Sequence, residues 1–143
     1  MIPSEKGEFV ASIPVALKLD SRILAKWKEK FPPARYAQGN VLFYRGHYPY
    51  GVFVFFSGKI DLKLSEESDH TMIEVRPGSA LGLGSAIVDR PYPLTAIAAT
   101  NVMASFVSKQ TLKGWIRKKE GFFPKEVRLV LKPERKRGTR KAA

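Results

Sequence analysis

Cysteine is absent from the 143-residue sequence, which excludes disulfides, iron–sulfur clusters and thiolate zinc sites. Histidine is nearly absent as well: there are two, His47 and His70. Both fall in turn-like stretches, so the two or three clustered histidines plus a carboxylate of a jelly-roll metal enzyme are not available. No apolar run reaches bilayer-spanning length, and the N-terminus lacks a basic segment followed by an apolar one. A soluble, cytoplasmic protein without membrane contact is expected. Acidic residues are few, 13 against 25 Lys and Arg, for a net charge of +12. No Ser/His/Asp order, paired-carboxylate constellation or phosphate-binding P-loop stands out either, so no enzymatic activity and no cofactor are expected.

The basic surplus is uneven. Lys132, Arg135, Lys136, Arg137, Arg140 and Lys141 stand against Glu134 alone in the last twelve residues, and the remaining +7 is spread over the body. Such a tail can meet phosphates through counterion release. It has no aromatic residue to stack on a base and no helix to enter a groove, so contact with nucleic acid would be non-specific. The other reading is a solvated terminus that aids solubility.

At 44% hydrophobic residues the chain can build one core. Residues 1–31 read as a loose or partly helical lead-in followed by a helix. Asp20 or Ser21 caps that helix, which places Ile23, Leu24, Trp27 and Phe31 on one face, and Pro32-Pro33 stops it. Trp27 reads as a core anchor. From Ala34 the pattern changes to short β-type runs separated by Gly39, Gly46, Gly51, Gly58 and Gly78: 35–37, 41–44, 52–56, 60–64, 72–76, 94–99 and 102–107. Val52-Phe53-Val54-Phe55-Phe56 has no polar face and reads as a strand buried on both sides, and Ser57-Gly58 reads as a tight hairpin turn. Ser108 caps a helix in which Leu112 and Trp115 face the barrel. A second helix from Pro124 is cut short at Pro133, which favours a monomer or weak dimer. The expected organisation is a lead-in over 1–31, a jelly roll with C-terminal helices over 32–131, and a basic tail over 132–143.

The stretch Leu81-Gly82-Leu83-Gly84-Ser85-Ala86, continuing through Arg90 and Tyr92 to Thr95, reads as a ligand cradle. Glycine lets backbone amides approach an anion, and a helix N-terminus offers unpaired N–H groups. Gly82, Gly84, Ser85 and Ala86 are candidate amide donors, and the Ser85 hydroxyl is a further one.

The ordered glycine pattern Tyr36-Ala37-Gln38-Gly39 to Arg45-Gly46, then Gly51 to Ser57-Gly58, then Pro77-Gly78 into Leu81-Gly82, resembles the cyclic-nucleotide-binding domain family. That family includes the catabolite-activator-type regulators. The resemblance implies a mainly β fold with flanking helices, an eight-stranded double-stranded β-helix jelly roll. It also implies a cradle in which backbone amides, a Glu and an Arg hold the cyclic phosphate and ribose. In register the Glu position falls on Leu83 and the Arg position on Tyr92. Losing both ionic partners would weaken nucleotide binding by roughly two to four powers of ten, unless Arg90 substitutes from the loop. The resemblance is to the sensor domain of those regulators alone, so no helix-turn-helix is expected in these residues. A non-catalytic sensing domain with a degenerate nucleotide site, responsive to some small anionic ligand, is therefore expected. The alternatives are an adaptor that binds nucleic acid or another polyanion through its tail, and a retained cAMP or cGMP receptor.

Overall fold

The computed structural model describes residues 9–10 and 13–118. The helix expected from Pro124 and the basic tail lie outside them. The described elements, in chain order, are β1 (Phe9–Val10), β2 (Ile13–Pro14), β3 (Ala16–Lys18), α1 (Ser21–Lys30), β4 (Ala34–Tyr36), β5 (Val41–Phe43), β6 (Gly51–Ser57), β7 (Ile60–Lys63), β8 (Thr71–Val75), β9 (Ser79–Leu81), α2 (Leu83–Val88), β10 (Thr95–Ala98), β11 (Val102–Ser108) and α3 (Lys109–Lys118).

The strands form two antiparallel sheets, one of four strands in the order β5-β10-β7-β8 and one of five in the order β3-β9-β6-β11-β4, with β1 and β2 as a separate pair. This is the mainly β, jelly-roll-like class expected, and among the described residues the two larger sheets hold four and five strands rather than eight in all. The difference comes largely from the lead-in, which is neither loose nor helical in its described part. Ala16–Lys18 pairs with Ser79–Leu81 as an edge of the five-stranded sheet, so residues before 32 are built into the barrel.

The alternation of side chains along β6 divides the interior. Val52 and Val54 lie in a cluster shared with the helices, together with Trp27, Leu83, Ala86, Leu112 and Trp115. Phe53 and Phe55 lie in a second cluster between the sheets, with Phe43, Ile60, Leu62, Tyr92 and Leu94. A strand with side chains buried on both faces must be apolar throughout, which is why this one has no polar face.

Helix α1 starts where Asp20 Oδ1 accepts from the Ile23 amide at 2.9 Å and ends where the Phe31 amide donates to Trp27 O at 2.9 Å. The Trp27 ring is fully buried and meets Trp115 edge-on, with centroids 5.3 Å apart. Helix α3 is capped by Ser108, whose Oγ accepts from the Thr111 amide at 3.2 Å.

The Ser57-Gly58 turn is not a hairpin, because β6 and β7 belong to different sheets. Here the chain crosses from one sheet to the other over residues 100–101. The Lys59 amide donates to Thr100 Oγ1 at 3.0 Å, and a Cβ on Gly58 would come within 2.3 Å of Asn101 O. Among the described residues no helix is long and apolar enough to cross a membrane.

Candidate functional site

The cradle stretch forms the turn from β9 into the two-turn helix α2, and its ends are fixed by two left-handed residues. Gly82 (φ 81°) precedes the helix and Asp89 (φ 55°) closes it. Glycine takes the first without penalty, and Asp tolerates the second better than most side chains.

Most groups expected to meet an anion already have partners within the protein. The Gly82 amide donates to Val15 O at 2.9 Å, and the Ala86 amide donates to Gly82 O at 3.1 Å. The Ser85 hydroxyl donates to Pro91 O at 3.3 Å. Thr95 Oγ1 accepts from the Arg45 amide at 2.9 Å. Arg90 is exposed to solvent. Gly84 is buried in the helix.

Leu83 and Tyr92 take different places from those the cradle reading gives them. The Leu83 side chain is fully buried in the cluster shared with the helices. Its direction follows from the left-handed turn at Gly82, which sets where the first helical side chain points. Tyr92 is in the other cluster, inside the barrel. Its ring lies flat on Phe43, with centroids 3.8 Å apart and planes 9° apart. Its hydroxyl donates to Gly51 O at 3.2 Å. Burial pushes its phenol pKa well above the ordinary tyrosine range, so the ring is neutral at physiological pH. A Cβ placed on Gly82 would be 2.7 Å from Tyr92 Cε1, so the ring covers the glycine that opens the cradle.

Backbone pairing holds Tyr92 in this position. The loop after β5 runs alongside it: the Gly46 amide donates to Tyr92 O at 2.8 Å and the Tyr92 amide to His47 O at 3.0 Å. With the Arg45–Thr95 contact, these bonds strap residues 44–47 across residues 92–95. Only a register that brings these segments together can show it, and nothing local in either segment does so.

Asp89, at the end of α2, is held by two lysines of α3. Lys109 Nζ is 2.7 Å from Oδ1 and Lys113 Nζ is 2.8 Å from Oδ2. The hydrogen bonds from Lys109 and then Lys113 pull its carboxyl pKa down to about 2. One carboxylate between two ammonium groups leaves a local surplus of positive charge and links the cradle helix to α3.

A second feature was not anticipated. Tyr44, Tyr48 and Tyr50, all on the loop after β5, stand exposed beside Phe106 of β11. They enclose a crevice of about 180 Å³ that reaches down to the Phe43–Tyr92 stack. A wider groove of about 810 Å³, bounded by Lys109 and Gln110, shares His47, Tyr48, Tyr50 and Phe106 with it. The sequence signal is three tyrosines within seven residues of a turn, where alternation gives them no core to enter. His47 and His70 are both exposed. The tail cations Lys132, Arg135, Lys136, Arg137, Arg140 and Lys141 lie outside the described residues.

Residues 33–119 match the family model of the cyclic nucleotide-binding domain. No curated protein matches the chain. Among solved structures, the chain is similar to one described under a cyclic-GMP-dependent signalling pathway that regulates bacterial phytopathogenesis, at 21% identity and a TM-score of 0.64 over 86% of this chain and 96% of that one. It is also similar to the N-terminal domain of a transcriptional regulator from Streptomyces coelicolor A3(2), at 23% identity and a TM-score of 0.58 over 87% of each chain. A third is the catabolite activator protein of Thermus thermophilus, at 20% identity and a TM-score of 0.59 over 87% of this chain and 57% of that one. At these identities the likeness is one of fold.

Proposed function

The chain belongs to the cyclic nucleotide-binding domain family, and from that premise we propose that it is a non-catalytic regulatory domain whose nucleotide cradle is closed by its own Tyr92. The observation that carries this reading is the Tyr92 ring itself, flat on Phe43 at 3.8 Å and packed over Gly82. A cyclic phosphate in that place would have to displace a buried, hydrogen-bonded aromatic side chain. It would then find no countercharge, since Leu83 faces a different core cluster and Arg90 points to solvent. Burying an unpaired phosphate is costly, and the bidentate arginine contact that would offset it has no equivalent. A regulatory role is supported by the kinds of proteins that share the fold, among them a signalling-pathway protein and the N-terminal domain of a transcriptional regulator.

Calorimetric titration of the native protein with cAMP and with cGMP tests the reading. Neither nucleotide is expected to bind better than about 100 μM, an affinity of roughly −5.5 kcal/mol. A low-micromolar dissociation constant for either would refute the closed cradle and identify a working cyclic-nucleotide receptor.

A further inference from the structure

We propose that the crevice walled by Tyr44, Tyr48, Tyr50 and Phe106, and floored by the stacked Phe43 and Tyr92, is a binding site for a small planar aromatic acid. Exposure makes the first argument. Tyr50 is 85% exposed, Tyr48 63%, Tyr44 41% and Phe106 39%. Single exposed rings are ordinary on a protein surface, but four converging on one crevice form the kind of patch that marks a binding site.

The loop that carries the tyrosines is also held in place. Its backbone is tied to Tyr92 through Gly46 and His47, and the Lys109 amide donates to Tyr50 O at 2.7 Å. The Phe106 ring lies against the backbone at Gly51, where an added Cβ would come within 2.6 Å of its Cζ. An anchored backbone spares the cost of ordering the loop when a ligand enters, which favours affinity.

Shape and charge then select the ligand. The crevice is narrow, about 180 Å³, and lined almost wholly by ring faces and edges, which suits a flat ring in stacked or edge-on contact. The adjoining groove is bounded by Lys109. Lys109 and Lys113 share the single carboxylate of Asp89, so the three side chains carry a net charge of +1 beside the groove, which attracts an acid group projecting from the ring. The same surplus disfavours a cationic ligand, although an aromatic cage alone would accept one. A planar ring bearing a carboxylate or phosphate fits both features.

This gives the sensing role proposed above a ligand class, and it rests on that reading in one respect: Tyr92 must remain on Phe43 to form the floor. The experiment is ligand-observed NMR titration of the native protein with indole-3-carboxylate, with indole and cyclohexanecarboxylate as controls. Saturable binding is expected at ligand concentrations up to about 10 mM, tighter for the aromatic acid than for either control. The exposed double variant Tyr48→Ser/Tyr50→Ser, with its fold checked by melting temperature, should weaken binding by about 10-fold. Lys113→Gln should weaken indole-3-carboxylate by about 3-fold and leave indole unchanged. Absence of saturable binding would overturn the proposal, as would equal affinity for cyclohexanecarboxylate or undiminished binding by the double variant. None of those results would alter the calorimetry with cyclic nucleotides, so the two readings fail separately.

Discussion

Removing the Tyr92 ring tests the closed cradle most directly, and two substitutions divide its contribution. Tyr92→Phe keeps the stack on Phe43 and removes one hydrogen bond, from the phenol to Gly51 O at 3.2 Å. A neutral bond of that length is worth about 0.5–1.5 kcal/mol. Tyr92→Ala removes a buried ring that stacks on Phe43, which itself meets Phe53, and that covers Gly82. Deleting a buried aromatic side chain costs about 3–5 kcal/mol, a large part of the 5–15 kcal/mol that holds a domain together. Urea unfolding followed by tryptophan fluorescence should therefore show a small midpoint shift for the Phe variant and a several-fold larger one for the Ala variant. Neither variant should gain affinity for cAMP, because neither supplies a countercharge. The double change Leu83→Glu with Tyr92→Arg, which the sequence register alone offers as a repair, is expected to unfold the protein. It places a carboxylate among Trp27, Leu112 and Trp115 and a guanidinium against Phe43. An Ala variant as stable as the wild type would refute the packing argument, and a double variant that folds and binds cAMP would refute the assigned side-chain directions.

The phenol of Tyr92 is held neutral by burial, its pKa raised above the ordinary value of about 10, so its contribution is complete below pH 10 and is lost as pH rises toward the folded-state value. Alkaline titration of stability should fall more steeply for wild type than for Tyr92→Phe, and parallel curves would count against a buried hydroxyl. Asp89 has the opposite sign. Its pKa is lowered from 3.8 to about 2 by Lys109 and Lys113, so its contribution is present above pH 4 and is lost as pH falls through about 2. Asp89→Asn, which tolerates the left-handed backbone, should remove that acid-limb dependence, and its melting temperature should converge with that of the wild type below pH 2. For the glycines, Gly51→Ala should destabilise more than Gly82→Ala. The added methyl at Gly51 meets the Val107 backbone oxygen at 2.2 Å, whereas at Gly82 it meets the Tyr92 ring at 2.7 Å. In a Tyr92→Ala background the Gly82→Ala penalty should shrink to the cost of its positive φ, about 1–3 kcal/mol, as a double-mutant cycle would measure.

The legible parts of the sequence were those set by local pattern. The run Val52-Phe53-Val54-Phe55 specifies a strand with two apolar faces, and Trp27 falls on the buried stripe of its helix. Asp20 and Ser108 cap the helices they precede. What escaped depends on contacts between distant segments. Strand β3 is three residues long and exists because β9, some sixty residues on, pairs with it. No period can emerge from three residues. The Ser57-Gly58 turn has hairpin composition, yet the adjoining strands pair with others. The cradle shows the same division. The resemblance puts Leu83 and Tyr92 in the register positions where ionic partners would stand, which is the basis of the proposed degenerate site. The positive φ of Gly82 directs Leu83 into the cluster shared with the helices, and the pairing of residues 46–47 with Tyr92 directs that ring into the barrel. Neither direction is encoded by the residues' own neighbours in sequence.

A cradle closed as proposed would also bear on where a signal can enter. A barrel that had lost its ionic partners and stayed open would carry a void lined by Phe43, Phe53 and Gly82. Such a void costs about 24 cal/mol per Å³ of unfilled volume. A tyrosine removes that cost, because its ring supplies the missing contacts and its hydroxyl finds Gly51 O, so the buried phenol is not left unpaired. On the proposed reading the place of the cyclic phosphate is then filled without a ligand. Because filling the interior gives an effector nothing to add there, differential affinity between two states, the requirement for any ligand-driven change, has to arise elsewhere on the domain. The loop at residues 44–50 lies outside the filled interior, touches Tyr92 through Gly46 and His47, and touches α3 through Lys109. A ligand bound at that loop would therefore sit on a segment joined by backbone hydrogen bonds both to Tyr92 and to the first residue of α3.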